Sequence, residues 1–366
     1  MTKLNGIARW SLFAFFGLLL IVFAAHLSPP AIASQLFNQI NLVTDDPIIN
    51  SALQTDPNLK NPWGISFGPG GPFWVSDNGT GVTTLYSVDP TTNATTIVTL
   101  VVSIPGAGTI TGQVFNGTTN FNSAPFLFVS EDGTISGWRP ALLTVAEPIV
   151  AASPANVYKG AAQATIGVNA YLYAANFRAG TIDVIKGNPG APNLTGTFTD
   201  PNIPTGFAPF NIQLLGDKLY VAYALQDAIK LNDVPGPGNG FVSVFDTNGN
   251  FLARVATQGT LNSPWGLAIA PVSFGQFAGN LLVGNFGGGR INAFDLANNT
   301  FKGQLLDQGG NPLIIDGLWA LTIGNGALSG SVEKIYFSAG PNGEVNGLFG
   351  VIQPIRTYYL PLILKQ

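Results

Sequence analysis

The sequence contains no cysteine, and it has a single histidine and a single methionine in 366 residues. These two residues are His26 and Met1, so both lie within the first 33 positions. Without cysteine there is no disulfide framework. Without histidine or cysteine after residue 33 there is no Ser-His or Cys-His nucleophilic pair, no imidazole or thiolate zinc site, and no haem ligation by the usual side chains. A redox or haem enzyme is therefore disfavoured.

Charge is also scarce, because only 9% of the residues are charged and the formal net charge is −4. Removal of residues 1–33 would take away two basic groups and no acidic one, which leaves 13 basic against 19 acidic residues and a formal charge of −6. A mildly acidic chain is a poor candidate for binding nucleic acid or an anionic membrane surface. We therefore expect neither as a partner.

The N-terminus has the layout of a secretory signal. Lys3 and Arg9 precede an apolar run over Trp10–Ala25, and the small-residue triplet Ala31-Ile32-Ala33 follows. This order is typical of a signal peptide with an A-x-A cleavage site. An uncleaved membrane anchor is the alternative, but the run is short for a span and Pro29-Pro30 follow it. The sequence predicts a signal peptide over residues 1–33, no stable membrane span after its cleavage, and an exported, extracellular or cell-surface protein.

What the chain has in abundance is glycine, proline and apolar residues. It contains 45 Gly and 26 Pro, and 46% of its residues are hydrophobic, a composition that favours an all-β protein of short strands and tight turns. The stretch Asn61–Asp89 holds three strand-like runs separated by Gly/Pro clusters, and Ser263–Asp295 repeats its pattern. Pro62-Trp63-Gly64-Ile65 matches Pro264-Trp265-Gly266-Leu267. Such a long-range internal match indicates a repeat protein.

Six units of roughly 50 residues, each with four strand-like runs, are typical of a β-propeller. The sixth unit lacks a fourth run, whereas Leu36–Thr44 is an isolated run with no nearby partner. Closure of the ring by an N-terminal strand would remove exposed sheet edges. The sequence predicts an all-β, six-bladed propeller of four-stranded antiparallel blades over residues 34–355, with Leu36–Thr44 completing the last blade. One sandwich or a β-helix explains the periodicity less well.

Two details of the blade assignment are less regular. In unit two we expect the fourth strand at Asn156–Lys159, after a long insert at Arg139–Pro154. In unit three we expect the fourth strand near Gly196–Phe198. Both assignments place one strand-like run between the third strand of one unit and the first strand of the next.

Three strings in the sequence resemble those of a known family of proteins. The strings NPWGISF…FWVSDNGTG, ANFRAGTIDV and NGLFG together resemble NHL-type repeats and a family of uncharacterised exported bacterial propeller proteins, some of which end in a PEP-CTERM sorting segment. The resemblance covers about 38–355 and implies the fold and export, with no established activity. The end of the chain departs from it, because Thr357–Gln366 is no PEP-CTERM tail. Residues 356–366 form a short apolar tail, either a strand packed on the propeller or another export or attachment tag.

A hydrolase with a bound cation is one functional alternative. In propellers the loops between second and third strands share one face with those leading into the inner strands, and pockets there are common ligand sites. Propellers that resemble gluconolactonases use an all-oxygen metal site to polarise a lactone carbonyl. Asp77 is the candidate base, and the candidate Ca²⁺ ligands are Glu131, Asn176, Asn211 and Asn285. These residue types also form ordinary turns, in which the side chain bonds its own backbone.

A ligand-binding rim of aromatic residues is the other alternative. Its candidate residues are Trp63, Asn78, Phe210, Trp265 and Trp319. The same large rings could instead wedge between blades, and packing is the commoner role of such residues. We expect a non-catalytic binding or cell-surface scaffold protein that holds a small molecule, a glycan or a protein over the channel mouth. The rival is a Ca²⁺-dependent lactonase or esterase.

Overall fold

The structure is a computed structural model and describes residues 35–355. The predicted signal peptide and the apolar tail at 356–366 lie outside the described residues. Within 35–355 the regular structure consists of strands and three short 3₁₀ helices, Phe121–Ser123, Pro140–Leu142 and Val272–Phe277. None of the helices in this range is long and apolar enough to cross a bilayer.

The strands alternate with Gly/Pro turns throughout the described range. In chain order they are β1 (Phe37–Thr44), β2 (Gln54–Thr55), β3 (Pro62–Ser66), β4 (Phe73–Asp77), β5 (Val82–Val88), β6 (Thr95–Ser103), β7 (Ile110–Phe115), β8 (Phe126–Ser130), β9 (Ile135–Trp138), β10 (Glu147–Val150), β11 (Tyr158–Ile166), β12 (Asn169–Asn176), β13 (Thr181–Lys186), β14 (Phe207–Leu215), β15 (Lys218–Leu225), β16 (Phe241–Asp246), β17 (Phe251–Thr257), β18 (Pro264–Ile269), β19 (Leu281–Asn285), β20 (Ile291–Asp295), β21 (Thr300–Gln304), β22 (Leu318–Ile323), β23 (Ile335–Ala339) and β24 (Leu348–Pro354).

These strands form six antiparallel sheets that follow one another along the chain. The first strand of each sheet packs against the first strand of the next, in the order β3, β7, β11, β14, β18 and β22, and β22 packs against β3. The contacts therefore close into a ring. The predicted six-bladed propeller is confirmed, with β3, β7, β11, β14, β18 and β22 as the inner strands around the channel.

The ring is closed by β1, as the sequence predicts. This strand pairs antiparallel with β24, so that blade six has the order β22-β23-β24-β1. Leu42 and Val43 of β1 are fully buried in the core cluster shared by blades six and one. The short β2 adds a parallel pair to β1 and makes this the only five-stranded sheet among the described residues.

Two strand assignments from the sequence are wrong. The fourth strand of blade two is β10, which lies inside the segment that reads as an insert, and Asn156–Lys159 instead leads into the inner strand of blade three. Pro148 disguises β10, but proline is tolerated on an edge strand because its missing N–H can face outward. Blade three has only three strands, since the N–H groups of Gly196 and Phe198 bond Asn248 and Gly249 of blade four instead.

Every inner strand contains a β-bulge near its start. The pairing with the second strand shifts register once in each blade, so that one extra residue is inserted opposite the partner strand. Bulges re-aim side chains relative to a regular strand. The residues at the six bulges are Trp63, Thr111, Lys159, Phe210, Trp265 and Trp319, all of them buried.

A prediction concerns the closing strand. Leu42→Ala removes a fully buried side chain from the seam between the two ends of the chain, and we expect it to lower the free energy of unfolding by about 2–5 kcal/mol. Ile48→Ala, at a position 91% exposed just beyond the strand, should change it by no more than about 0.5 kcal/mol. Urea unfolding followed by tryptophan fluorescence measures both. Equal effects of the two substitutions would contradict the role of β1 in closure.

Candidate binding site at the channel mouth

Six equivalent loops surround one end of the channel. In each blade the residue that follows the second strand donates its backbone N–H to the carbonyl of the residue that precedes the inner strand, at 2.8–3.2 Å. The donors are Asn78, Glu131, Phe177, Gln226, Phe286 and Gly340, and their acceptors are Asn61, Thr109, Val157, Gly206, Ser263 and Gly317. This repeated bond fixes the height of all six loops, so their side chains converge on one opening. We call this opening the channel mouth.

Below the mouth the channel is closed by aromatic rings. The bulge residues Trp63 and Trp319 stack with ring centroids 3.5 Å apart, and Trp265 meets both rings edge-on at 6.2 and 5.9 Å. Phe210 lies 5.9 Å from Trp319, and Phe286 stacks on the same ring at 3.9 Å. We call these five residues the aromatic plug. Trp63 of blade one and Phe210 of the opposite blade four also meet, at 6.4 Å, which places the plug at the axis.

The plug changes the interpretation of the aromatic candidates. Trp63, Phe210, Trp265 and Trp319 are each no more than 4% exposed. They pack against one another on the axis, so they form neither an open rim nor wedges between neighbouring blades. Among the plug residues only Phe286, which the sequence analysis did not select, is partly exposed at the mouth. It could have been found as the residue equivalent to Asn78, one position after the second strand.

The indole N–H groups of the plug tie it to the mouth. Trp319 Nε1 donates to Asn61 Oδ1 at 3.0 Å, and Trp265 Nε1 donates to the Lys159 carbonyl at 3.0 Å. Asn61 Nδ2 in turn donates to Glu344 Oε2 at 2.7 Å. A buried indole usually finds such a partner, although Trp63 Nε1 has none among the described residues. Trp319 is thus linked through Asn61 to Glu344.

A lysine occupies the plug position of blade three. Lys159 is only 2% exposed, and its ammonium group lies 5.1 Å from the centroid of the Trp63 ring. It forms an ion pair with Glu131, whose side chain is 18% exposed. A cation over an indole face is attracted by the ring quadrupole. The sequence analysis missed Lys159, although Lys159-Gly160 is equivalent to Trp63-Gly64 and Trp265-Gly266.

Two further carboxyl groups, Asp233 of blade four and Glu344 of blade six, are influenced by the charge of this ammonium group. We call Lys159, Glu131, Asp233 and Glu344 the mouth cluster. Burial raises the pKa of Glu344, while the hydrogen bond from Asn61 and the charge of Lys159 oppose this shift. Burial likewise raises the pKa of Asp233, again opposed in part by the charge of Lys159. The cluster therefore has more acidic groups than its single cation can balance.

The three asparagines among the predicted calcium ligands are hydrogen-bonded within the protein. Asn176 Oδ1 accepts the N–H groups of Val157 and Ala179, both at 3.2 Å, and Asn285 Oδ1 accepts the N–H of Asn262 at 2.8 Å. Both amides therefore serve their own loops. Asn211 lies deeper and donates to the Trp265 carbonyl. Within residues 35–355 no three Asp, Glu, His or Cys side chains are arranged to hold a metal ion.

The predicted base, Asp77, is the last residue of β4, directly before Asn78 of the mouth, and it is fully buried. Thr84 Oγ1 lies 2.8 Å from both Asp77 Oδ2 and the Tyr86 hydroxyl, and that hydroxyl donates to Asp56 Oδ2 at 3.1 Å. Burial raises the pKa of Asp77 well above its ordinary value. A protonated Asp77 would donate to the Thr84 hydroxyl, which donates to the Tyr86 hydroxyl, which donates to Asp56. Each of the two hydroxyl groups would then donate one hydrogen bond and accept one. Asp77 is thus enclosed by the protein, and its proposed role as a base would require access that this structure does not provide.

A cleft of about 300 Å³ opens beside the mouth, between blades two and three. Its polar lining includes Glu131, Ser153, Asn156 and Arg178, and Leu231 from the long loop of blade four borders it. Arg178 Nη1 donates to the Pro154 carbonyl at 2.7 Å, which leaves its other N–H groups directed to the cleft or solvent. Asn78, also a predicted ligand residue, donates to Glu131 Oε2 at 3.2 Å. The accessible polar groups of this face are therefore grouped around Glu131.

The ion pair between Lys159 and Glu131 generates a stability prediction. Lys159→Met removes the cation from three carboxylates, and Glu131→Gln leaves a buried ammonium group without its closest partner, so each should destabilise by roughly 3 kcal/mol. The double variant should cost less than the sum by about 1–3 kcal/mol, because the two side chains are coupled. Chemical denaturation of the four proteins measures this cycle.

The exposed pair Lys302–Asp295, at 3.8 Å, provides the matched control. Lys302→Met should change the free energy of unfolding by no more than about 1 kcal/mol. If the effects of Lys159→Met and Glu131→Gln on the free energy of unfolding were additive, the two side chains would not be coupled.

The buried carboxyl of Asp77 generates a pH prediction. Its pKa in the folded state lies above that of an unfolded chain, about 3.9, so the folded state binds more protons between the two values. Stability from this group is therefore present at low pH and is lost as pH rises through the folded pKa. Asn cannot ionise, so Asp77→Asn should remove this pH-dependent loss of stability. Between pH 4 and pH 8 the free energy of unfolding of the variant should rise relative to that of the wild type by about 1–3 kcal/mol.

Urea unfolding across that pH range, with Asp217→Asn as the exposed control, measures the difference. Parallel pH curves for wild type and Asp77→Asn would show that Asp77 is ionised throughout.

Comparison with known proteins reveals relatives over most of the chain. No family model matches the sequence. Uncharacterized protein R648 of Acanthamoeba polyphaga mimivirus is 35% identical over 331 residues, covering 85% of this chain and 79% of that protein. Uncharacterized protein L690 of the same virus is 33% identical over 330 residues, 84% of each chain. A solved streptogramin B lyase structure is 13% identical with a TM-score of 0.48, covering 88% of this chain and 98% of that one.

These relatives bear on the predicted origin. The sequence resembles an exported bacterial family, whereas R648 and L690 are viral proteins, so the comparisons do not show a bacterial source or a PEP-CTERM relationship. The identity and the coverage of both chains are high enough to establish kinship. The protein belongs to the family of the mimivirus proteins R648 and L690.

Proposed function

We propose that the protein is a non-catalytic binding protein whose ligand lies over the channel mouth. The observation that carries this proposal is the internal pairing of the mouth cluster. The ammonium group of Lys159 forms an ion pair with Glu131, the only carboxylate among the predicted calcium ligands. The candidate base Asp77 is enclosed, and Lys159 itself is too buried to act as a nucleophile.

The chemistry of the accessible groups favours a polyhydroxylated ligand such as a glycan. Arg178 supplies N–H donors, Glu131 supplies acceptor oxygens, and Ser153 and Asn156 can do both, within a cleft of about 300 Å³. The partly exposed ring of Phe286 offers a flat apolar face at the same end of the channel. Polar groups that fix orientation beside an aromatic surface are the usual composition of a sugar site.

The rival function is a Ca²⁺-dependent lactonase or esterase. It needs a divalent cation to polarise the carbonyl and a carboxylate base within reach of the substrate. Asn176 and Asn285 support the binding proposal instead, since their oxygens are used by their own turns. The experiments below therefore include a test for Ca²⁺-dependent hydrolysis.

We propose export as well, from the signal-like residues 1–33. Expression of the full chain in a host with a secretory pathway should yield a mature protein that begins at Ser34. Retention of the uncleaved N-terminus in the purified protein would overturn this.

The binding proposal predicts a residue-specific loss of affinity. A fluorescently labelled protein of residues 34–366 is applied to an array of immobilised glycans, and hits are quantified by calorimetry. Arg178→Ala and Glu131→Gln should each weaken binding by about tenfold or more, which corresponds to about 1.4 kcal/mol. Arg290→Ala, an exposed arginine on the loop of blade five at the same face, should leave affinity unchanged. Equal losses in all three variants would contradict a site at the cleft.

The same proposal predicts indifference to calcium. Addition of Ca²⁺ should not shift the melting temperature, and δ-gluconolactone and p-nitrophenyl acetate should not be hydrolysed above the rate without protein. Ca²⁺-dependent stabilisation or turnover that Glu131→Ala abolishes would establish the hydrolase instead.

A further inference from the structure

Blade three is the only blade in the described part of the chain that ends with its third strand. β13 (Thr181–Lys186) pairs with β12 on one side and with no strand on the other. In the other blades a fourth strand covers the third, and third strands such as β16 and β20 are buried almost throughout. In β13 only Ile182 is buried. We call the free side of β13 the open edge.

The pairing with β12 determines which backbone groups point to the open edge. The N–H of Gly187 donates to the Ala170 carbonyl at 2.9 Å, in continuation of the β12–β13 ladder. In an antiparallel ladder the residues bonded to the neighbouring strand alternate with residues that face away from it. The N–H and C=O groups of Ile182, Val184 and Lys186 therefore point outward. They have no hydrogen-bond partner within residues 35–355.

The outer edges of the other five blades are irregular, whereas the open edge is regular. In each of those blades the ladder between the third and the fourth strand contains a register shift. In addition, β10 carries Pro148, and β2 covers part of β1. Bulges, prolines and covering segments keep sheet edges from pairing with other chains. The ladder between β12 and β13 has no register shift, and β13 has neither a proline nor a covering strand.

Charged side chains can also protect a sheet edge, but the carboxylate of Asp183 is already used within blade three. Its Oδ2 accepts hydrogen bonds from the Tyr158 hydroxyl at 3.0 Å and from Asn176 Nδ2 at 2.8 Å. Its Oδ1 accepts one from Thr181 Oγ1 at 2.8 Å. The charge of Asp183 is thus directed to its own blade and does not oppose the approach of another strand.

The centre of the open edge is apolar on both faces of the sheet. The side chain of Val184 is partly buried against the core between blades three and four. Ile185 is partly buried against the core between blades two and three. Val184 is also the middle one of the three residues whose backbone groups point outward. A strand that pairs here would therefore gain backbone hydrogen bonds and apolar contacts together.

The open edge is complementary to itself. If two copies of β13 pair antiparallel with Val184 opposite Val184 of the second copy, Ile182 lies opposite Lys186, and all the outward N–H and C=O groups of both strands can be bonded. A register shifted towards Thr181 would place Asp183 opposite Asp183 of the second copy, and like charges in that position are destabilising. A shift the other way leaves Ile182 beyond the end of the second strand.

We propose that the open edge of blade three is a homodimer interface, in which β13 pairs antiparallel with β13 of a second copy and Val184 lies on the two-fold axis. The two three-stranded blades then form one continuous sheet. Because the pairing reverses the strand direction, the two channel mouths open in opposite directions. This interface is separate from the proposed site at the mouth and does not depend on it.

The test compares charge variants at the two-fold axis by sedimentation velocity at micromolar concentrations. The wild type of residues 34–366 should sediment as a dimer. Val184→Lys and Val184→Glu each remove an apolar contact and bring like charges together, so each should weaken the dimer by about tenfold or more. An equimolar mixture of the two variants should form a heterodimer, because opposite charges then face each other.

Three outcomes would overturn the proposal. The first is a wild type that stays monomeric over the whole concentration range. The second is a pair of charge variants that dimerise as tightly as the wild type. The third is a mixture of Val184→Lys and Val184→Glu that remains monomeric, because the two side chains would then not lie opposite each other.

Further variants locate the interface and control for folding. Val184→Pro removes an outward N–H and should abolish the dimer; proline is tolerated on an edge strand, as Pro148 in β10 shows. Phe301→Lys is the matched control, because Phe301 lies on β21, the outer strand of blade five, and is 48% exposed. It should leave the dimer intact. Circular dichroism should show the same strand content in every variant.

Other modes of association give a different pattern. A dimer that survives Val184→Pro and dissociates on Phe301→Lys would place the contact at blade five and overturn the proposal. A dimer that survives Val184→Pro and is lost on deletion of residues 356–366 would assign association to the C-terminal tail, with the same consequence. Loss of the dimer in Val184→Pro alone supports pairing at the open edge.

Discussion

The constraint on which this structure depends is crowding at the axis. Six inner strands must approach one another closely enough to close the ring, and each carries a bulge residue that is directed to the centre. The residue after the bulge is correspondingly small: a Cβ added at Gly266 would lie 2.6 Å from the Trp319 carbonyl oxygen, and one at Gly112 would lie 2.5 Å from the Ala161 nitrogen. The two residues of each Trp-Gly pair thus meet the same packing constraint. The indole ring fills the space at the axis, and the glycine allows the neighbouring inner strand to approach.

All six blades share the same bulge geometry, but the residue at the bulge differs in chemistry from blade to blade. Four bulge positions hold Trp or Phe, and blade three holds Lys159 in the same place. A buried ammonium group is stable only if it is paired and hydrogen-bonded. Glu131 supplies that pairing, because the loop that carries it lies beside the bulge of blade three. Of the two bulge positions without an aromatic ring, Thr111 and Lys159, only Lys159 brings a charge to the mouth.

Much of the fold follows from the sequence because its signals are repeated. The Pro-Trp-Gly strings, the spacing of the apolar runs and the unpartnered run at Leu36–Thr44 each indicate a closed ring, and their agreement fixes the number of blades. The outer strand of blade two is misplaced, and the one predicted for blade three does not form, because edge strands carry weak signals. Pro148 is tolerated there, and Phe198 of the would-be strand packs against Phe245 of blade four instead. The buried aromatic residues could be identified, but their meeting point depends on the bulges, which no single segment reveals.

The site is less predictable for a related physical reason. Asp-Asn-Gly and Gly-Asn turns have the same composition whether their oxygens face a ligand or their own backbone, and in Asn176 and Asn285 the backbone is the partner. Lys159, by contrast, is visible only when the inner strands are superimposed on one another. Once the plug is in place, the two ends of the channel must differ. The end that receives Lys159 carries carboxylates, and the other end is lined by apolar and uncharged polar side chains of the inner strands. A propeller closed at its centre by aromatic rings therefore has two ends of different chemistry.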